Sequence, residues 1–360
     1  MAESKRLFNL AETKGSFEIV GKVQDTQSDR FFDEKVIENK AGKKTPLRNI
    51  NFGLVYDNNE MENDPHKVYV SLNGYQRDKV YCSGRFTGKD GKSKIETKQL
   101  SWKDRYNVPE GYAPIGIKVG LEKQIDEKGA VTNVRKTLYE FDACGEIHEK
   151  LMDNQSVYVR GDIQAFTTSK GEHRQAFNIK QVSLLKSDIT YGEGFEPKSH
   201  FKLPICFKSI EKSDENENEF IICGYIISYS TIEEVELITR NKSLANNFKK
   251  NMKPYYYIEL WGDIEVTTNV ETVTEEDTWG EECAMDKQAA PSKVQLVVTG
   301  AKPSTIDKTL YSEEEIDKAL AAIRQSKTAS KDYGKKVSEE EAGFEGGWGD
   351  DEPEDEEDWG

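Results

Sequence analysis

Ile147-His148-Glu149-Lys150-Leu151, followed by Val157-Tyr158-Val159-Arg160-Gly161-Asp162-Ile163-Gln164, is one half of a repeat. The other half is Phe248-Lys249-Lys250-Asn251-Met252, followed by Ile258-Glu259-Leu260-Trp261-Gly262-Asp263-Ile264-Glu265, displaced by a constant 101 residues. Apolar residues four apart, Ile147 and Leu151 in one copy and Phe248 and Met252 in the other, give one face of a short helix. The alternation of Val157, Val159 and Ile163, matched by Ile258, Leu260 and Ile264, gives a half-buried strand. The shared Gly-Asp-Ile puts a glycine inside each strand, where it marks a bulge, a bend or a close backbone approach. A short helix running into a bent strand, used twice, predicts one fold present in two copies.

Working outward, Ser16–Val23, Arg48–Tyr56 and Val68–Leu72 alternate as strands. Gln24–Pro46 reads as a long polar loop, and Asn73-Gly74 as the end of the third strand. From Tyr75 to Tyr112 the period is lost. Ile115–Leu121 and Val134–Phe141 read as a hairpin, and Gln175–Leu185 as a closing strand. The second unit repeats this order: Phe201–Phe207, Phe220–Ser230, Glu234–Ile238, a helix at Leu244–Met252, the bent strand at Tyr255–Val266, and Val294–Val298. Three strands, a helix and two more strands resemble an OB-fold, the small Greek-key barrel with its helix between strands three and four.

The predicted fold is therefore all-β with short helices. It comprises a flexible N-terminus (1–14), one OB-like barrel (15–187) with a basic, aromatic insertion (75–141), and a second barrel (188–305). A helix (306–330) and a disordered acidic tail (331–360) follow. Ser312-Glu313-Glu314-Glu315 opens the helix as a capping box. Its narrow stripe of Ile316, Leu320 and Ile323 predicts weak docking or a handle for a partner.

Composition narrows the class. The chain has 360 residues, 36% hydrophobic and 32% charged, and a net charge of −16. Glu339–Gly360 holds twelve acidic residues and no basic one; without it the net charge is −4. The body can thus carry positive patches. No window approaches the roughly 18 apolar residues of a membrane span, and Met-Ala-Glu-Ser-Lys-Arg has no apolar run behind it, so a cytoplasmic protein is expected. Five widely spaced cysteines without a ligand partner read as thiols in a reducing compartment.

Nucleotide-loop, zinc-helix and nucleophile-elbow motifs are absent. The expectation is a protein that is not an enzyme and needs neither cofactor nor metal. Arg160-Gly161-Asp162 spells an adhesion tripeptide, but it lies within a barrel strand. The informative pattern is aromatic rings interleaved with cations. An unpaired strand offers base faces for stacking, at about 1–3 kcal/mol each, along a string of phosphates. The candidate residues are Arg30, Phe31, Tyr75, Arg77, Lys79, Tyr81, Arg85, Phe86, Trp102, Lys103, Arg105 and Tyr106. Tyr158, Arg160, Phe166 and Arg174 complete the first unit, with Tyr257 and Trp261 in the second.

The tail ends in Asp350-Asp351-Glu352-Pro353-Glu354-Asp355-Glu356-Glu357-Asp358-Trp359-Gly360. An acidic C-terminus tipped by an aromatic, behind OB-like barrels, resembles the bacterial and phage single-stranded-DNA-binding proteins. It departs from the usual bacterial form, which has one barrel per chain and ends in Pro-Phe. The resemblance implies coating and protection of single-stranded DNA during replication, recombination and repair, without strong sequence preference. It further implies a tail (Asp350, Asp351, Glu354, Asp355, Glu356, Glu357, Asp358, Trp359) that recruits polymerase, helicase or primase and competes with DNA. The setting would be the cytoplasm of a bacterial host, if phage-encoded. Oligomeric state is left open, a homo-oligomer included. Trp279-Gly280-Glu281-Glu282 and Trp348-Gly349-Asp350-Asp351 repeat the tail's chemistry as candidate docking peptides. The rival readings are an acidic protein that mimics nucleic acid, an RNA-binding relative of the barrel, and a Mg²⁺-dependent nuclease.

Overall fold

The computed structural model describes residues 8–38, 42–57, 67–87, 91–125, 129, 131–168, 171, 173–192, 195–214, 216–267 and 293–332. The fold is all-β with three helices among the described residues. The first barrel takes β1 (Gly15–Gln24), β3 (Lys44–Val55), β4 (Lys67–Tyr75), β10 (Ser156–Thr167) and β11 (His173–Leu184), with α1 (Glu140–Lys150) between β4 and β10. β1 pairs with β3, β3 with β4, β4 with β11 in parallel, β11 with β10, and β10 with β1, closing the ring. β12 (Lys198–Lys212), β13 (Phe220–Ile227), β14 (Ile232–Thr239), α2 (Lys242–Asn251), β15 (Tyr257–Thr267) and β16 (Lys293–Asp307) repeat it. There too the third and fifth strands meet in parallel. That closure, with a helix after the third strand, is the OB-like architecture.

The repeat glycines are where the barrels bend. The β10–β11 register slips between Arg160 and Gly161, and the β15–β16 register between Trp261 and Gly262. A Cβ on Gly161 would stand 1.8 Å from the Asn178 carbonyl oxygen, and one on Gly262 1.9 Å from that of Val297. Both strands are entered through a residue of positive φ, Asn154 (67°) and Tyr255 (69°), also 101 residues apart. Asparagine tolerates that conformation; tyrosine adopts it at a cost.

The two barrels are joined through their first strands. β1 runs antiparallel to β12, with Phe17 opposite Phe201. Behind this seam Phe17, Ile19, Phe201 and Leu203 belong to one continuous core. Each such side chain contributes about 1.5–3 kcal/mol by burial, so the seam joins the barrels through apolar packing as well as backbone pairing. The Tyr56 hydroxyl accepts the Val266 N–H at 3.1 Å, and Thr167 donates to Glu233 at 2.9 Å. The N-terminal arm crosses to the second barrel, where Thr13 and Ile227 exchange backbone and hydroxyl bonds.

Five sequence readings need correction. The N-terminus, expected to be flexible over 1–14, is held where it is described: Leu10 and Thr13 are buried and Thr13 bonds Ile227. Gln24–Pro46 is not all loop: β2 (Phe32–Glu38) lies within it and pairs with β3. It is an edge strand, exposed on both faces for most of its length, so no apolar alternation betrays it. The stretch after Tyr75 is regular too. β5 (Lys79–Thr87), β6 (Ser93–Ser101) and the short β7 (Ala113–Pro114) form a small separate sheet. β8 (Ile117–Ile125) and β9 (Val131–Leu138) form the expected hairpin, but Phe141 belongs to α1 and β4 continues to Tyr75. Finally, α3 (Glu313–Asp332) docks firmly. Ile316, Ala319 and Ile323 are buried with Leu10, Ile227, Ile232 and Tyr311, and Tyr311 donates to the Ala11 carbonyl. Ser312 caps the helix, its hydroxyl accepting the Glu315 N–H and donating to the Glu315 carboxylate. The acidic loop around Trp279 and the tail from Asp350 to Trp359 lie outside the described residues.

Candidate nucleic-acid interface

The β5–β6 hairpin has two unlike faces. Val80 and Cys82 turn inward and are buried. On that side Phe86 packs on Tyr112 with ring centroids 5.0 Å apart, Lys98 lies 4.2 Å over the same ring, and the Tyr112 hydroxyl donates to Glu96. Phe86 is therefore a packing residue, not the outward ring its sequence context predicts. The other face presents Lys79, Tyr81, Ser83, Arg85 and Thr87 opposite Ser101, Gln99, Thr97, Ile95 and Ser93. Tyr81 is 48% exposed and Ile95 63%. None of these ten residues is acidic, in a chain with 66 acidic residues.

Beside the hairpin, Arg105 is clamped between two rings. Its guanidinium carbon sits 4.2 Å from both the Trp102 and the Tyr106 centroids, and Asp142 of α1 takes it with oxygens at 2.8 and 3.3 Å. Burial works against the charge, but the Asp142 hydrogen bond and field outweigh it and hold the Arg105 pKa above its usual range. Arg105 is thus committed to the fold. Trp102 stands edge-on to Phe141 at 5.8 Å, with its other side under Arg105, and is likewise structural. What the clamp delivers is Tyr106, 65% exposed, with exposed Lys103 near it in sequence.

The third component is the outer face of the first barrel across β3, β4, β11 and β10. Asn49 stands opposite Asn73, Asn51 opposite Ser71, and Ser71 beside Asn178. Asn178 donates to Gln164 at 2.9 Å. This band of amides and hydroxyls, with Asp33 across from Asn49 and Asp162 across from Asn178, can donate to phosphates and meet base edges. Tyr75, half-buried opposite Leu47, ends it on one side; Phe166, opposite Arg174, ends it on the other. The sequence reading named the ends and missed the amides, since Asn and Gln on a strand look like ordinary solvated positions. Their one signal is the periodicity of Asn49, Asn51, Ser71 and Asn73 on the outward phase.

The remaining candidates scatter. Arg30 and Arg77 are exposed. Phe31 is 4% exposed, within 6.5 Å of Phe52 and 5.8 Å of His148; it belongs to the core. Tyr158 and Arg160 point outward from β10, and the Tyr158 hydroxyl donates to Glu18 at 3.0 Å. Tyr257 packs toward Tyr311, among the residues around α3, rather than presenting a free ring. Trp261 is 41% exposed on the outer face of β15.

No group of three or more metal-ligating side chains occurs among the described residues, and no helix there is long and apolar enough to cross a membrane. Cys144 and Cys206 are buried, and burial pushes both thiols up to about 12, so they remain protonated and inert.

A family model described as YorF matches residues 87–336. None of the curated proteins matches. Among solved structures, the wild-type single-stranded DNA binding protein from Thermus aquaticus aligns at 6% identity with a TM-score of 0.35, covering 81% of this chain and 93% of that one. A deletion mutant of the same protein aligns at 7% identity with a TM-score of 0.34, covering 81% and 95%. The barrel assignment rests on the strand pairings themselves.

Proposed function

The chain belongs to the YorF family, and we propose that it is a single-stranded-DNA-binding protein that is not an enzyme. The observation that carries this reading is the outer face of the β5–β6 hairpin, where Lys79, Tyr81 and Arg85 stand in a row with no carboxylate across from them. Phosphates pair with the cations and release counterions. Bases stack on Tyr81 and on Tyr106. The amide band from Asn49 to Gln164 offers uncharged contacts that tolerate any base. Such a strand is held by its general chemistry, which suits a protein that coats and protects single-stranded DNA in replication, recombination and repair.

The finer parts of the reading rest on the sequence. Residues 15–187 and 188–305 serve as two tandem OB-like units of the phage and bacterial type. The tail from Asp350 to Trp359 recruits a polymerase, helicase or primase and moderates DNA binding, in a bacterial cytoplasm. The test is a titration of a fluorescent oligo-dT against the wild-type chain and a K79A/Y81A/R85A variant, with matched RNA and duplex DNA as competitors. The account expects binding that the triple variant weakens at least tenfold and that RNA and duplex compete for poorly. Equal affinity in the variant would overturn the assignment of the hairpin; no binding of any nucleic acid would overturn the function.

A further inference from the structure

The offset of 101 residues makes Arg160 and Trp261 equivalent positions of the two barrels, each at the register slip that precedes the repeat glycine. Because β1 pairs with β12, the outer surfaces of β10, β1, β12 and β15 form one sheet face. Arg160 stands opposite Glu18, Glu18 opposite His200, and His200 opposite Asp263, two residues from Trp261. Three strand spacings and a two-residue step along β15 separate the two side chains, about 16 Å. One barrel offers a cation and the other an indole on the same surface.

Trp261 is laid out rather than merely left exposed. Its partner across the ladder is Gly300, and a Cβ there would stand 2.5–2.7 Å from the indole Nε1, Cε2 and Cζ2 atoms. Three ring atoms at nearly one distance mean that the indole meets the backbone with its face. The opposite face turns to solvent, Trp261 being 41% exposed. The carboxylates of this surface are engaged on it. Glu259 meets Lys202 at 2.8 Å, Asp263 meets His200 at 2.7 Å, Asp162 lies 3.9 Å from Lys180, and Glu18 accepts the Tyr158 hydroxyl. Each of these carboxylates already has a partner on the surface, which lessens the repulsion a polyanion crossing it would meet.

The second barrel's alternative surface is closed. The outward row Tyr257, Cys206 and Tyr225 lies among the residues packed with α3, and Ile227 is held by the N-terminal arm. We infer that a bound single strand leaves the first barrel across the β1–β12 seam and stacks a base on Trp261, so that the two barrels share one continuous path instead of each holding a segment of its own. This rests on the single-strand-binding reading above.

The inference is tested in the full-length chain by W102F, W279F, W348F and W359F together, leaving Trp261 as the sole indole. A fluorescein-labelled oligo-dT reports overall binding by anisotropy while the indole emission reports contact at Trp261. The expected result is quenching by long oligonucleotides and none by short ones that the first barrel alone can fill. In the otherwise native chain, W261A should weaken long oligonucleotides by about five- to a hundredfold and leave short ones unchanged. W261F should recover most of that loss. Because the substitution removes no cation, W261A should leave the salt dependence unaltered. Anisotropy showing tight binding with no change in Trp261 emission, or W261A weakening long and short oligonucleotides alike, would overturn the shared path. Absence of any anisotropy change with the wild-type chain would instead sink the single-strand reading on which it stands.

Discussion

Phe17 of β1 and Phe201 of β12 stand directly opposite one another, and each also faces its own barrel's repeat glycine, Gly161 and Gly262 respectively. Ser16 pairs with Lys202 and Glu18 with His200, so exchanging the barrels maps the seam onto itself. A pseudo-two-fold axis passes between the two phenylalanines. The repeat read in the sequence is thus the trace of a symmetric joint.

The repeat glycines should be equally intolerant. A methyl on either would drive into a carbonyl oxygen less than 2 Å away, and relief requires moving the ladder itself. G161A and G262A should each cost about 1–3 kcal/mol or more. Urea unfolding followed by circular dichroism checks this; a neutral G262A beside a damaging G161A would show that the copies no longer share the constraint.

Phe31 and Arg30 adjoin in sequence yet should respond differently. Truncating buried Phe31 to alanine should cost about 3–5 kcal/mol of stability. Arg30→Ala, on an exposed side chain, should leave stability within about 0.5 kcal/mol. Thermal melts of the two variants separate a core role from a surface one.

Asp142 holds the clamp that displays Tyr106. Its side chain is 13% exposed and that of Arg105 19%. Removing the carboxylate leaves a largely buried cation unpaired, and D142A should cost about 3–5 kcal/mol. Y106A, which removes one exposed ring of the clamp, should cost only about 0.5–1 kcal/mol of stability and weaken oligonucleotide binding by about 1–3 kcal/mol. The pairing of these two outcomes, one in melts and one in titrations, is the check.

The ion cluster that ties α1 to the β8–β9 hairpin should make that corner acid-sensitive. Burial pushes the Glu146 carboxyl up, but hydrogen bonds from Lys150 and Lys136 outweigh it and leave the pKa below the ordinary carboxylate range. A depressed carboxylate contributes stability above its unfolded pKa, near 4.3, and loses it as the pH falls through its lower folded value. Stability measured by urea melts should therefore drop below roughly pH 4, and E146Q should show a smaller drop. An identical acid profile in E146Q would contradict the assignment.

The barrels were legible because their residues obey the two-residue period and carry a glycine at the same phase. β2 and the β5–β6 hairpin were not, since strands with one or both faces in water need few apolar residues, and only Val80, Cys82, Phe86 and Leu100 mark the inner side of the hairpin. Within the candidate site, sequence placed rings and cations together but could not say which way each turned. Phe31 and Phe86 fold inward, Arg105 is claimed by Asp142, and Tyr81 and Tyr106 remain outside. Asn49, Asn51 and Asn178 went unread because an amide advertises nothing until a neighbouring strand aligns it.

The most direct measurement is the salt dependence of oligo-dT binding by the full-length chain and by K79A/R85A. Log affinity should fall linearly with log salt, and the double variant should lower the slope by about 0.7 for each lost phosphate contact, roughly 1.4 in all. A slope that K79A/R85A leaves unchanged, or affinity indifferent to salt, would contradict a phosphate path along the β5–β6 hairpin.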